Sequence, residues 1–281
     1  MKFFCLISLF LVAASQAAFG QLSGTNPLVR FHTDLGDIDV LLLQNIAPNN
    51  VANFLNYVKG GDYDNTFIHR SPPNFVVQGG GNRFVNNQVM SIPQDPPVVN
   101  EFNVSNRRGT LAMAKLPNNP NSATNQWFFN ESDSNATGAN GLDTQNGGFT
   151  VFGRIISSTG LSTMDTIAAV PIYDADGPSA HTFDQLPLRD YVSGPIQDQN
   201  LVHVIWIKVV PQIVALTRLN ATTIRVQGRG TANTTYKLEM SSSGNGDTFT
   251  TSVNVTTGPQ GNFIYDDTNP GTKKFYRTAI P

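Results

Sequence analysis

Residues 67–81 read FIHRSPPNFVVQGGG and carry the densest set of features in the chain. The run FVVQ at the centre is strand-like, and when it is extended Val76 and Gln78 lie on one face. Phe75 and Val77 then lie on the opposite face. Three glycines end the stretch, but no Gly-Lys-Ser/Thr sequence follows and no helix starts there, so the pattern excludes a nucleotide-phosphate loop.

The composition describes a globular chain without excess positive charge. Its 281 residues are enough for one large domain or two modest ones, and with 40% hydrophobic residues the chain can bury a core. Lys plus Arg total 18 and Asp plus Glu total 20, giving a net charge of -2. Nucleic-acid binding requires a basic surface, so we expect no nucleic-acid partner.

The N-terminus has the organisation of a cleaved signal peptide. Lys2 precedes an apolar run from Phe3 to Ala14, and Ala18-Phe19-Gly20 supplies a small-x-small cleavage site. A run of about twelve residues is too short to span a bilayer; an uncleaved anchor or a buried helix is the alternative. We predict a signal peptide over residues 1–20, no membrane span, and an exported protein, periplasmic or extracellular.

The only cysteine, Cys5, lies inside this segment. The mature chain would therefore have no disulfide, thiolate metal site or cysteine nucleophile. The four histidines are too scattered along the chain to predict a metal site. We expect neither a metal nor a cofactor.

From residue 28 onward, short strand-like runs alternate with turns, and two amphipathic helices interrupt them. The first helix begins at Pro48 and ends at Gly60-Gly61, and the second covers Leu161–Ala168. The predicted strands are Val29–Thr33, Ile38–Leu43, Phe67–His69, Phe75–Gln78, Thr110–Ala114, Gln126–Phe129, Phe149–Gly153 and Leu201–Val209. Many short strands with two helices predict a mainly β fold, a closed barrel capped at its ends.

The chain changes character beyond Pro211, where no helical period appears. Its strand-like runs are Thr223–Gln227, Thr235–Met240, Thr248–Thr256 and Lys274–Thr278. Turns rich in Gly, Ser and Asn separate them, a pattern typical of a small antiparallel sandwich. We therefore predict one domain over residues 21–211 and a fibronectin-like all-β module without chemistry over residues 212–281.

Five ordered motifs resemble those of the cyclophilins, which are peptidyl-prolyl cis-trans isomerases. The family's Arg, Pro-Gly-Phe and Gln-Gly-Gly stand here as Arg70, Pro73-Asn74-Phe75 and Gln78-Gly79-Gly80. The other similar segments are Gly109–Ala114, Asn121–Asn130, Leu142–Asp143 and Phe149–Gly153. The resemblance spans residues 28–210 and implies an eight-stranded antiparallel barrel capped by two helices, which acts on proline-containing polypeptides without a cofactor.

The resemblance also implies roles for single residues. Arg70 is expected to supply the catalytic guanidinium, with Phe75 and Gln78 as the other catalytic positions. Phe75 would line the pocket for the proline ring, and Gln78 would hydrogen-bond the substrate backbone. The implied substrate-binding positions are Val76, Ala114, Lys115, Phe128, Leu142 and Phe149, with the contact at Ala114 and Lys115 made by the main chain.

Four positions depart from the family pattern. Val76 stands where Met is usual, Lys115 replaces Asn, and Phe149 replaces a His that bacterial-type members also lack. Gly141 precedes Leu142 where many eukaryotic members carry a Trp that donates a hydrogen bond to cyclosporin. We therefore expect weak cyclosporin binding.

Three functions stay open at this point. The first is an exported prolyl isomerase, expected to be a monomer, that assists protein folding. The second is a proline-peptide-binding module without turnover, which the changes at Val76 and Lys115 favour. The third is a surface adhesion or scaffold protein whose function lies in the C-terminal module. The first is favoured by the joint presence of Arg70, Phe75, Gln78 and Phe128.

Overall fold

The computed structural model describes residues 26–137, 141–177, 182–242, 249–271 and 274–280. The predicted signal peptide over residues 1–20, with Cys5, lies outside these ranges. Within them, no helix combines the length and the apolar character needed to cross a membrane.

The first part of the chain contains twelve strands and both helices. In chain order they are β1 (Leu28–Thr33), β2 (Gly36–Leu42), α1 (Pro48–Gly60), β3 (Thr66–Phe67), β4 (Val76–Gly79), β5 (Asn82–Val85), β6 (Gln88–Ser91), β7 (Thr110–Met113), β8 (Trp127–Asn130), β9 (Val151–Ile155), α2 (Ser158–Ala168), β10 (Ile172–Tyr173), β11 (Leu186–Pro187) and β12 (His203–Val209).

Eight of these strands follow one another in a single antiparallel sheet. Neighbours along the sheet are antiparallel in the order β4-β8-β7-β9-β2-β1-β12-β3. Directly after β3 the chain returns to β4, where the His69 amide donates to the Gln78 carbonyl at 3.1 Å and the Gln78 amide donates to the Arg70 carbonyl at 2.9 Å. The predicted mainly β fold, a barrel with two helices, is confirmed.

The barrel core follows from the period-two pattern of its strands. In β1 the side chains of Val29 and Phe31 are fully buried while their neighbours are partly exposed. The Phe31 ring lies 5.9 Å from that of Phe54 in α1 and 4.9 Å from that of Trp127 in β8. Each buried aromatic of this kind contributes roughly 1.5–3 kcal/mol. The helix thereby closes one end of the barrel.

The two helices have different end signals. Helix α1 has Pro48 in its first turn, and Gly61 after its last residue takes a left-handed φ of 70°, as predicted from the Gly pair. Helix α2 begins three residues before the predicted start because Ser157 caps it, its hydroxyl accepting from the Gly160 amide at 3.0 Å.

The predicted strand Phe75–Gln78 starts one residue later, at Val76. Asn74 has a φ of 60°, and the Phe75 amide donates to the Pro72 carbonyl at 3.2 Å, so Phe75 belongs to a turn. The face assignment for Phe75 was therefore wrong. Its side chain packs with Val76 in a cluster at the barrel surface, whereas Val77 lies in the barrel core.

Several strands have no clear sequence signal. The hairpin β5-β6 turns at Asn86-Asn87, both with positive φ, and Asn-Asn is a weaker hairpin signal than Asn-Gly. The pair β10-β11 has only two residues per strand. Strand β3 covers Thr66–Phe67, so Phe67 is the one residue of the predicted Phe67–His69 run that lies in it, and the His69 amide instead donates to the Gln78 carbonyl of β4.

Beyond Pro211 the described chain is all β. Its strands are β13 (Gln212–Asn220), β14 (Thr223–Arg229), β15 (Thr235–Ser241), β16 (Thr251–Thr256), β17 (Asn262–Asp267) and β18 (Phe275–Ala279). They form two three-stranded sheets, β13-β14-β17 and β16-β15-β18. Strand β13 was not predicted because its apolar residues do not alternate. The domain boundary at Pro211 stays a prediction.

Candidate active site

A hydrophobic cluster separate from the barrel core gathers most of the predicted site. Six predicted residues belong to this apolar cluster, namely Phe75, Val76, Ala114, Phe128, Leu142 and Phe149. The Phe128 and Phe149 rings meet edge to face, with centroids 5.8 Å apart. Phe128 is buried, whereas Phe75 and Phe149 are partly exposed. The cluster therefore presents aromatic walls to solvent.

Arg70 borders the apolar cluster. Its guanidinium carbon lies 5.5 Å from the centroid of the Phe75 ring, within cation-π range. Burial lowers the pKa of Arg70 and attraction to Asp184 opposes this change, but a guanidinium stays charged in either case. In the ranges the structure describes, this guanidinium makes no hydrogen bond or ion pair with another side chain. A fixed cation with unused donors therefore stands beside an apolar surface.

The Gln78 side chain is hydrogen-bonded to a second glutamine. Its Nε2 donates to Oε1 of Gln126 at 2.9 Å, and Gln126 acts on the pKa of the buried His69, raising it against the effect of burial. The predicted motif segment Asn121–Asn130 contained Gln126, but no role was assigned to it. The hydrogen bond to Gln126 fixes the side-chain amide of Gln78. The backbone amide of Gln78 also donates to the Arg70 carbonyl, so the two residues lie next to each other.

His69 makes the stability of this region depend on pH. It is 3% exposed, and burial lowers its pKa from 6.5 to about 4. Between those values the unfolded chain binds the proton and the folded chain does not, so stability is lost as pH falls from 6.5 towards 4. We expect a loss of about 3 kcal/mol across this window. Denaturant unfolding at pH 7 and pH 4.5 measures it.

The matched variant for this prediction is His69→Gln, which keeps a hydrogen-bonding group next to Gln126 but cannot titrate. Its free energy of unfolding is expected to lack the component lost between pH 6.5 and pH 4. An identical pH dependence in the variant and the wild type would show that His69 is not responsible.

Ala114 and Lys115 follow the end of β7 and behave differently from each other. The Ala114 amide donates to the Gln126 carbonyl at 2.9 Å, so the main-chain group left for a substrate is its carbonyl. Nζ of Lys115 donates to the carbonyls of Asn146 at 2.9 Å and Gly148 at 2.6 Å. The same ammonium lies 4.6 Å from the centroid of the Phe149 ring.

The Lys115 side chain therefore holds the turn that leads into Phe149. Burial lowers the pKa of Lys115 to about 8, while its two carbonyl acceptors and the aromatic face favour the charged form. The predicted contact at this position involves only the main chain. The side chain instead fixes one wall of the apolar cluster.

Three buried asparagines support the same walls and were missed by the sequence analysis. Nδ2 of Asn135 donates to the Phe75 carbonyl at 2.6 Å and to Oδ1 of Asn130 at 2.8 Å. Nδ2 of Asn106 donates to the Phe149 carbonyl at 3.0 Å. All three asparagines are 0% exposed.

Asn130 joins these asparagines into one network. Its Nδ2 donates to Oγ1 of Thr110 at 2.9 Å and to Oδ1 of Asn106 at 3.2 Å. The Asn135 carbonyl also accepts from the Leu142 amide at 2.8 Å. Asparagine is common in turns and beside them, so these residues give no sequence signal for such a role.

The described residues contain no group of three or more His, Cys, Asp or Glu side chains arranged to hold a metal ion. The functional groups that the structure brings together at the site are the guanidinium of Arg70, the side-chain amide of Gln78, the Ala114 carbonyl and aromatic walls. This set can hold an apolar ring, fix a peptide backbone and donate to a developing lone pair.

The part of the chain that carries the site is similar to known proteins. The sequence profile of the family "Cyclophilin type peptidyl-prolyl cis-trans isomerase/CLD" matches residues 28–183. The chain is similar to a peptidyl-prolyl cis-trans isomerase of Acinetobacter baylyi, with 42% identity over 148 residues, 52% of this chain and 74% of the relative. It is also similar to peptidyl-prolyl cis-trans isomerase B of Escherichia coli, with 38% identity over 145 residues, 51% of this chain and 85% of the relative.

Among solved structures, the chain is similar to a cyclophilin type peptidyl-prolyl cis-trans isomerase of Cryptosporidium parvum. The two share 23% identity, with 66% of this chain and 97% of that chain covered and a TM-score of 0.45. The family profile alone spans more than half of the chain and includes the Arg70, Phe75, Gln78 and Phe128 positions. The protein therefore belongs to the cyclophilin-type peptidyl-prolyl cis-trans isomerase family.

Proposed function

We propose that this protein isomerises X-Pro bonds in exported polypeptides and thereby assists their folding. The observation that carries the proposal is the Arg70 guanidinium, which lies 5.5 Å from the Phe75 ring at the edge of the apolar cluster and forms no side-chain hydrogen bond or ion pair with the described residues. Family membership supports the isomerase activity, and the apolar N-terminal segment supports export.

The reaction breaks no covalent bond, so the protein needs only to stabilise a twisted amide. The barrier of roughly 18–20 kcal/mol is the resonance that the amide loses as its C–N bond rotates. The proline nitrogen then pyramidalises and gains a lone pair. The Arg70 guanidinium donates a hydrogen bond to this lone pair, and that bond exists only in the twisted state.

The other groups restrict the rotation to a single bond. The rings of Phe75 and Phe128 hold the proline ring of the substrate. The side-chain amide of Gln78 and the carbonyl of Ala114 bind the substrate backbone on either side of it. A reduction of the barrier by about 7 kcal/mol corresponds to roughly a 10^5-fold acceleration. Acid, base and nucleophile play no part in this scheme, so turnover itself consumes and releases no proton.

Cyclosporin binding and oligomeric state follow from the same proposal. Residue 141 is a glycine, so the position before Leu142 has no side chain to donate to the inhibitor. We therefore propose weak cyclosporin binding. We also propose that the protein acts as a monomer, because the groups of the mechanism all come from one chain.

The test of the exported role uses the full chain expressed in a Gram-negative host. We expect the mature protein in the periplasmic or extracellular fraction, with its N-terminus at Gln21. We also expect it to accelerate the slow, proline-limited refolding of an exported protein, a phase that takes tens of seconds uncatalysed. An unprocessed cytoplasmic protein would contradict the export. Binding of unfolded chains without faster refolding would identify a peptide-binding module instead.

A further inference from the structure

The loop between α2 and β12 lies against the chain segment that carries Arg70. The Ser71 amide donates to the Gln185 carbonyl at 3.0 Å. Two residues before Gln185, the Phe183 ring lies 6.2 Å from that of Phe67 in β3. These contacts place Asp184 alongside the Arg70-Ser71 backbone.

The loop is fixed by bonds of its own. Oδ2 of Asp176 accepts from the amides of Thr182 and Phe183, both at 2.9 Å. The Ala175 amide donates to the Phe183 carbonyl at 2.9 Å. Strand β11, which begins two residues after Asp184, pairs with β10. Asp184 is therefore held in place from both sides.

The Asp184 carboxylate has an unsatisfied oxygen. Its Oδ1 is buried and accepts no hydrogen bond within the part of the chain that the structure describes. A buried anionic oxygen is costly unless a positive charge lies nearby. Arg70 meets this need, since it is half-buried and, among the residues that the structure describes, makes no ion pair within 4 Å. Asp184 is also the carboxylate whose attraction acts on the guanidinium.

We propose that Asp184 is a positioning residue whose charge holds the Arg70 guanidinium in its orientation over Phe75. A half-buried cation without a counter-charge gains free energy by swinging out to water, and the carboxylate opposes that movement. The positioning group is thus supplied by the loop between α2 and β12. This inference rests on the proposed isomerase function, in which Arg70 is the donor.

The test compares Asp184→Asn with Asp190→Asn in the full-length mature protein. Asp190 is an exposed carboxylate of the same loop with a φ of 48°, a conformation that Asn tolerates. For Asp184→Asn we expect kcat on a proline peptide to fall about five- to tenfold, with KM and the unfolding midpoint unchanged. Asp184→Glu should restore part of the loss, and Asp190→Asn should match the wild type.

Two further readouts separate positioning from a structural role. In an Arg70→Ala background, Asp184→Asn should cause no additional loss of kcat, because the group it positions is gone. The NMR signal of Arg70 Nε–Hε should become more mobile and exchange faster with water in Asp184→Asn. An unchanged kcat and Arg70 signal, or an equal loss in both backgrounds, would overturn the proposal. A wild-type protein without turnover would instead refute the isomerase function, and the Arg70 signal would still test the Asp184 contact.

Discussion

Replacing Arg70 by Ala is expected to lower kcat/KM for a proline peptide by 10^2- to 10^3-fold. The guanidinium stabilises a lone pair that exists only in the twisted amide, and the loss of one such donor costs about 3–4 kcal/mol of transition-state stabilisation. Because the donor contributes little to binding of the planar peptide, kcat should carry most of the loss. A protease-coupled assay on a cis X-Pro peptide measures both constants.

The control is Arg107→Ala, which removes an exposed arginine that does not belong to the apolar cluster. It should leave both constants unchanged. Arg70→Lys should recover little of the activity, because an ammonium lacks the planar arrangement of donors. If Arg70→Ala raised KM and left kcat intact, Arg70 would be a binding residue and the mechanism would be wrong.

Replacing Asn130 by Ala is expected to destabilise the protein by about 3 kcal/mol and to reduce turnover as well. The change removes the acceptor of Asn135 and the donor to Thr110 and Asn106, and leaving such buried groups unpaired costs roughly 1–3 kcal/mol each. Asn135 and Asn106 hold the backbone of Phe75 and Phe149. We therefore expect kcat/KM to fall roughly tenfold as these walls move.

Denaturant unfolding gives the change in stability, and the activity is measured well below the unfolding midpoint so that only folded protein contributes. Asn45→Ala is the matched control, since Asn45 is exposed. A fully stable Asn130→Ala protein would contradict the role assigned to the network. A destabilised protein with normal kcat/KM would show that the network supports the fold without positioning the walls.

The fold was largely predictable because its signals are local. Alternation in β1, Pro48 at the start of α1 and the glycine pair after it each act within a few residues. The backbone hydrogen bonds that join His69 and Arg70 to Gln78 follow from the long-range packing of the sheet, and no local pattern at these residues predicted them. The strand start at Val76 was missed because a positive φ at Asn74 is set by the turn as a whole.

Site residues could be predicted where a family motif specifies the side chain. They could not be predicted where the role of a side chain depends on partners that are distant in the sequence. Phe75, Phe128 and Leu142 meet in one cluster as the resemblance implied. The Lys115 ammonium donates to two carbonyls some thirty residues away in the chain. No local sequence pattern around Lys115 indicates these hydrogen bonds. The position of Asp184 beside the backbone of Arg70 and Ser71 depends on the packing of a long loop, which a linear pattern does not encode.

The most direct test of the central claim is exchange NMR at equilibrium on a saturating proline peptide, with wild type and Arg70→Ala. We expect cis-trans exchange far above the thermal rate for the wild type, near-thermal exchange for the variant, and equal peptide affinity for both. Exchange at the thermal rate with the wild type, or equally fast exchange with Arg70→Ala, would contradict the claim.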